Sequence, residues 1–310
     1  MNAAPNVIGP SDHPLFHPCP PDPSCPYCGA ATLPTGRAAF DWSFLEGAYC
    51  ISLRSRDDRA ASAAAQFHRL GLCRHVTFYR PTKHPQPKVG IWQSHRAVGL
   101  DALARGLKTV LVLEDDVRFA RFVTPRTVRA VRRASESLPP DWLIFFLGHW
   151  PLRAWFVRRN VLRTASGCAH AYIASQRLLH WLRDHPYGTA PIVRFVGVTI
   201  DAAYAALPST YAYFPMLATQ SPSPSDHMAR KPTLRIRKFK HLVTRSGHRE
   251  LLQSWLMRPT ELTVAALSPF CWLLDRIAGP IRPLPPREPP EHSDRARQAE
   301  QSLNEQHCGY

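Results

Sequence analysis

Acidic residues are in short supply in this chain: 23 Asp and Glu face 39 Lys and Arg over 310 residues, a formal net charge of +16. Such a balance favours anionic partners, whether nucleic acid, nucleotide, anionic glycan or membrane surface, and does not choose among them. Long apolar runs are missing too. None reaches the roughly 18 residues that a membrane-spanning helix needs, and no N-terminal stretch resembles a secretory signal. The nearest approach, residues 262–274, is interrupted by Pro269. A cytoplasmic protein, at most peripheral to a membrane, is the expectation. Cysteine occurs eight times, at positions 19, 25, 28, 50, 73, 168, 271 and 308, but five of these sit singly among apolar neighbours. That scatter argues against a disulfide framework and for a reducing compartment. The apolar fraction, 45%, excludes a wholly disordered chain. The 31 prolines, about twice the average share, cluster at both ends and suggest non-globular flanks around a folded middle.

Because acids are few, the place where three stand together matters. Residues 109–117 read Thr-Val-Leu-Val-Leu-Glu-Asp-Asp-Val. A run apolar on both alternating faces reads as a strand buried on both sides, as in a parallel α/β sheet. Acids at the end of such a strand fall in the crevice at the carboxyl edge of the sheet, where ligands bind in open α/β folds. With the backbone still extended, Glu114 and Asp116 would project to one side and Asp115 to the other. Carboxylates so crowded repel one another unless a cation or a donor-rich ligand neutralises them. A solvated acidic loop is the competing reading.

The surrounding pattern is of alternating strands and helices. Residues 48–53 read as a short apolar strand. A helix follows, with Asp57 as its N-cap, an alanine-rich run to Leu70 and Gly71 as its stop. Residues 75–79 read as the next strand, 81–88 as a loop and 93–107 as a helix. After the acidic strand, Thr124-Pro125 starts a basic helix to about Ser137, as N-cap and N1. Residues 141–148 form a fully apolar strand and 165–174 are extended. A helix then runs from Ser175 to about Asp184, 193–200 are extended and end in Asp201, and 211–217 close the series. One α/β domain with a mostly parallel sheet, over residues 45–228, is the expected fold.

The flanks are of other kinds. Residues 1–44 form a proline- and cysteine-rich extension in which Cys25-Pro-Tyr-Cys28-Gly is a turn that lets two thiolates bind one zinc, with Cys19 and His17 or His13 to complete four ligands. A small zinc clip and a loop with incidental cysteines are both open. From Arg230 to Arg249 there are eight Lys or Arg and no acid, within a basic and apolar segment, 229–278, that suits an anionic surface. Residues 279–310 read as a disordered tail.

Four groups of residues then fall into an order that resembles glycosyltransferase family 25, which includes lipooligosaccharide glycosyltransferases and procollagen galactosyltransferases. Tyr49-Cys50-Ile51-Ser52-Leu53 with Arg59 resembles the family's opening strand and arginine, with Ser52 where asparagine is usual. Gly90-x-x-x-Ser94-His95 matches its glycine-to-Ser-His signature, and residues 112–117 its acidic signature. Trp142 to Gly148, Gly167 to Ser175, Asp201, and Gln220 with Ser225-Asp226 follow in order. The resemblance covers residues 48–227 and implies a GT-A-type, Rossmann-like fold, a nucleotide-sugar donor such as a UDP-sugar, and inversion at the anomeric carbon. It implies Mn2+ or Mg2+ held by Asp116 and Glu114, with His227 as a further ligand. Hard carboxylate oxygens suit such a cation, which would bridge the donor phosphates. Arg54, Arg59, Ser94, His95, Glu114 and Asp115 would contact the donor, Ser94 and His95 from a helix start. Asp201, or else Asp226, would take the proton of a glycan, lipid-linked or protein hydroxyl acceptor. Two rival readings are a basic zinc-containing nucleic-acid binder and an inactive structural relative of the transferases. Acids at the strand end would repel nucleic acid, and their presence argues against the inactive relative.

Overall fold

The computed structural model describes residues 14–28, 36, 39–193 and 197–221, with isolated residues between 263 and 273. Fourteen elements follow in order: β1 (Phe16–Pro18), β2 (Gly47–Ile51), α1 (Asp57–Arg69), β3 (Val76–Tyr79), α2 (Pro87–Ala104), β4 (Thr109–Glu114), β5 (Val117–Phe119), α3 (Pro125–Glu136), β6 (Ile144–Arg158), β7 (Val161–Ser175), α4 (Gln176–Asp184), α5 (Ile200–Tyr204), β8 (Thr210–Tyr213) and β9 (Ala218–Gln220). Seven strands form one sheet in the order β1-β3-β2-β4-β7-β6-β8. Among these, β3, β2, β4, β6 and β8 run one way, with β1 and β7 opposed. The mostly parallel α/β sheet expected from the sequence is therefore present. No helix among the described residues is long and apolar enough to cross a membrane.

The apolar strands are buried on both faces, and their alternation sorts side chains into two cores. Leu111 and Leu113 of β4 join Ala48, Cys50, Phe67, Val128 and Val131 beneath α1 and α3. Val110 and Val112 join Tyr49, Trp92, Val98, Leu178 and Tyr204 beneath α2, α4 and α5. Three layers result, with the sheet in the middle, which is why β4 carries no polar residue between Thr109 and Glu114.

Local chemistry explains most element boundaries. Thr124 caps α3 in a reciprocal box with Thr127, and Pro125 occupies the first helical position. Ser175 caps α4 through Leu178 N–H. Gly71, at φ +65°, ends α1 in the left-handed conformation. Asp57 is the first residue of α1 rather than its cap: the N-cap is Arg56, which makes no side-chain capping bond, and Asp57 and Asp58 complement the helix dipole.

Four expectations need larger correction. Helix α2 begins at Pro87, with Pro at its start, so Ser94 and His95 lie in its second and third turns and not at a helix N-terminus. The Ser94 hydroxyl donates to Gly90 C=O at 2.7 Å. Of residues 193–200, the described ones (193 and 197–200) form no strand. Asp201 instead stands in the first turn of α5, capped by Thr199. Strands β6 and β7 extend into a 15-residue hairpin on each side of a turn at Asn160, φ 62°, with register shifts along it. Its outer part, exposing Trp150, Leu152, Phe156 and Val157, has too mixed a pattern to read as strand. Finally, residues 14–28 belong to the folded body. Phe16 is buried on Tyr49 and Tyr79, β1 pairs with β3, and Cys19 N–H bonds Val76 C=O at 3.0 Å. Residues 225–227 and 230–249, with the expectations placed on them, lie outside the described residues.

Candidate functional site

Strand β4 lies beside β2, with Glu114 paired in register with Ile51, and Asp115 N–H continues the ladder onto Ile51 C=O at 3.1 Å. There the sheet edge ends. Asp115 and Asp116 turn the chain into β5, which leaves the main sheet to pair with β9. Ser221 N–H bonds Asp116 C=O at 2.6 Å and pins that turn. The extended alternation stops at Glu114, so Asp115 does not point away from its neighbours. All three acids line one cleft with Arg59, Lys83, His84, Ser94, His95 and Gln220.

Within the cleft, Arg59 reaches over from α1. Its Nη1 lies 3.2 Å from Asp115 Oδ1 and 3.8 Å from Asp116 Oδ2. Asp115 also accepts from Ser52, and Arg80 donates to the Ser52 hydroxyl at 3.4 Å. Gln220 donates to Glu114 Oε2 at 3.4 Å. Buried Asp116 Oδ1 has no hydrogen-bond partner among the described residues.

These contacts do not offset the crowding. Burial, with smaller effects of Asp201 and Asp115, pushes the Glu114 carboxyl up to about 8. Burial and then Glu114 push Asp116 up to about 7, against the pull of Arg59. Asp115 is raised by burial while Ser52 and Arg59 oppose it. A site of this kind retains protons near neutrality unless positive charge enters it. A hard divalent cation matches such a donor set, and the unpartnered Asp116 oxygen is where one would be held.

Across the cleft His95 is wholly buried, its Nε2 3.6 Å from Glu114 Oε1 and its Nδ1 2.8 Å from the Tyr172 hydroxyl. Tyr172 in turn meets the Tyr204 hydroxyl at 3.0 Å. Burial lowers His95 to about 4, so the imidazole is neutral at pH 7. Asp201 Oδ1 accepts from Ala169 N–H at 2.8 Å. It lies near enough to influence Glu114 and His95, though it does not line the cleft itself.

Of the other expected donor-binding residues, Arg54 is elsewhere. Its guanidinium donates to the Arg80 and Pro14 carbonyls, because the N-terminal segment packs beside it, and it does not line the cleft. Lys83 does line it, from a loop read only as a connection. Cys168 was also passed over. It adopts φ 70° in β7, and burial, then Asp201, Glu114 and Asp116, raise its thiol to about 12. His149 and His170, both fully buried, were missed as well; burial holds them neutral, and His149 has no hydrogen-bond partner among the described residues. No spacing in the sequence marks any of these, since what makes them notable is enclosure.

The cysteine expectation changes its members. Cys25 and Cys28 stand beside His68 and Cys73, a group that could hold a metal ion. His17 is exposed on edge strand β1, and Cys19 is buried without joining the group. The missing partners come from α1 and the turn after it, 40 or more residues along the chain.

Compared with known proteins, the chain matches no family model and no curated protein, so the resemblance to family 25 has no counterpart there. Among solved structures, a glycosyltransferase involved in the glycosylation of the major capsid of PBCV-1 is matched at 9% identity and a TM-score of 0.28. That match covers 44% of this chain and 64% of the other, just under two thirds of its length. UDP-glucose pyrophosphorylase complexed with UDP-glucose is matched at 9% identity and TM-score 0.34, over 54% and 72%. A197 from STIV is matched at 12% identity and TM-score 0.33, over 60% and 97%.

Proposed function

We propose that this protein is a glycosyltransferase that moves a hexose from a nucleotide-sugar, a UDP-sugar first, to a hydroxyl acceptor with inversion. One observation carries the reading. Three carboxylates and Arg59 converge at the carboxyl edge of parallel strands β2 and β4, and the acids are held above their usual range with one buried oxygen unpartnered. A cleft of this charge is suited to a cation that arrives with an anionic ligand.

Asp116 and Glu114 would hold Mn2+ or Mg2+. When bound, that cation supplies positive charge to the donor diphosphate as its bond to the sugar breaks. The chain's own groups divide the remaining work. Arg59 holds Asp115 and Asp116 in place from one side and adds a positive charge beside the phosphates. Asp115, fixed by Ser52 and Arg59, faces the ribose side. His95, neutral and backed by Tyr172, offers a hydrogen bond without adding charge. Asp201 is the base for the acceptor hydroxyl, held by Ala169 N–H in a fixed orientation. Lys83 adds a cation at the cleft rim.

The test is a panel of nucleotide sugars incubated with the protein and Mn2+, with slow donor hydrolysis as the readout. One UDP-sugar is expected to be cleaved, with turnover lost to chelator and in Asp116→Asn. Equal turnover with and without chelator, or a fully active Asp116→Asn, would reject the assignment.

A further inference from the structure

Helix α1 carries Arg59 near one end and His68 in its last turn, about 14 Å apart along the axis. At the far end a second constellation assembles, unconnected with the acidic cleft. Cys25 and Cys28 close a tight turn in which Cys28 N–H bonds Cys25 C=O at 3.1 Å and Tyr27 N–H points at Cys25 Sγ at 3.4 Å. The turn is seated by Tyr27, whose ring covers Gly71. A Cβ there would come within 2.9 Å of Tyr27 Cε1, so the residue that ends α1 also admits the turn.

This seating brings four ligating atoms together. Cys25 Sγ is 3.8 Å from Cys73 Sγ, Cys28 Sγ is 3.4 Å from Cys73 Sγ, and Cys28 Sγ is 3.2 Å from His68 Nδ1. All four atoms lie within 4.8 Å of one another. Tetrahedral zinc, with bonds of about 2.3 Å to sulfur and 2.0–2.1 Å to nitrogen, needs sulfurs about 3.8 Å apart and nitrogen about 3.5 Å from sulfur. These three separations match those figures to within about 0.4 Å. A disulfide fits less well, because Cys73 faces Cys25 and Cys28 about equally and either pairing strands the third sulfur and the imidazole.

We propose that Cys25, Cys28, His68 and Cys73 form a structural zinc site that staples the N-terminal segment to the end of α1 and the turn before β3. Three sulfurs and one nitrogen select zinc over Mg2+, Mn2+ and Ca2+, and four protein ligands leave no open position for substrate. The site therefore serves the fold and not the chemistry of the cleft. It holds down an element that is otherwise thin: β1 is a three-residue edge strand, whose register on β3 is Phe16 to Tyr79 through Pro18 to Thr77.

The experiment is metal analysis of full-length protein purified under reducing conditions without chelator, with X-ray absorption at the zinc edge. One zinc per chain with three sulfurs and one nitrogen around it is expected. The cobalt-substituted protein should show the intense visible bands of a tetrahedral thiolate site. His68→Ala and Cys73→Ser should lose most of the metal, and Cys19→Ser should keep it. Absorption on the unaltered protein reads the ligand set even if the variants fold poorly. Zinc-free wild-type protein, a shell of another composition, or zinc that Cys19→Ser releases and His68→Ala retains would each overturn the proposal.

Discussion

Asp116→Asn should make the metal-free protein more stable while destroying its response to metal. In the folded chain burial, and then Glu114, push Asp116 up to about 7, and burial, with Asp201 and Asp115, pushes Glu114 up to about 8. In the unfolded chain both return to about 4. The folded state therefore binds more protons between those limits, and stability that is complete below pH 4 is lost as pH rises through 7 and 8. A shift of about three units corresponds to a ceiling of roughly 4 kcal/mol for Asp116 alone, at about 1.4 kcal/mol per unit. Glu114 itself keeps its proton over most of the range in which Asp116 ionises, so it raises Asp116 less than a full charge would, and the ceiling falls accordingly. Asparagine also forgoes the Arg59 contact at 3.8 Å, although Arg59 keeps its closer partner Asp115 at 3.2 Å. A net gain of about 1–2 kcal/mol at pH 8, seen as a few degrees in Tm for a body of this size, is expected. Thermal melts of both proteins in EDTA at pH 5 and pH 8 measure it, and the difference should grow with pH. Adding Mn2+ at about 100 times its Kd should stabilise wild type by about 2.7 kcal/mol and leave the variant almost unmoved. A variant less stable than wild type in EDTA at pH 8, or equally stabilised by Mn2+, would refute the electrostatic account of the cleft.

Three further outcomes follow from other residues. Asp201→Asn preserves the acceptor oxygen for Ala169 N–H, so donor binding should keep its metal dependence while transfer falls about a hundredfold or more, as for a lost general base; steady-state transfer and donor titration together check this. Gly148→Ala would place a Cβ 2.2 Å from His170 Nε2 and 2.4 Å from the Ala218 carbonyl, so urea melts should show a loss of about 1–3 kcal/mol or more; an unchanged midpoint would mean that the β6–β9 approach is looser than described. Neutralising four of the eight basic residues between Arg230 and Arg249 should weaken sedimentation with anionic vesicles and leave donor hydrolysis nearly unchanged, whereas collapse of turnover would move that segment into the active site.

Some of this architecture was legible from residues 109–116 alone. An apolar run buried on both faces requires helices above and below, and acids at its end must lie at the sheet's carboxyl edge. Thr124-Pro125, Ser175 and Gly71 marked their helix ends because capping is local chemistry, complete within a few residues. Arg59 was named through the resemblance of residues 49–53 and Arg59 to an opening strand and arginine. The start of α2 was missed because Pro87 at a helix start resembles a loop, and so Ser94 and His95 were placed at a helix start when they lie in its second and third turns.

What the chain alone determined was the central apolar strands, their burial on both faces and the identity of the acidic edge. These depend on side-chain period and on short-range caps, which any stretch carries within itself. Tertiary structure decided which residues share the cleft and the cysteine cluster. The Asp115–Asp116 turn exists because β5 leaves the main sheet for β9, about 100 residues further on, and that departure gathers all three acids on one side. His68 meets Cys28 because β1 and β3 pair and fold the N-terminal segment against the end of α1. Such meetings are fixed by packing between distant elements, and residue spacing carries no record of them.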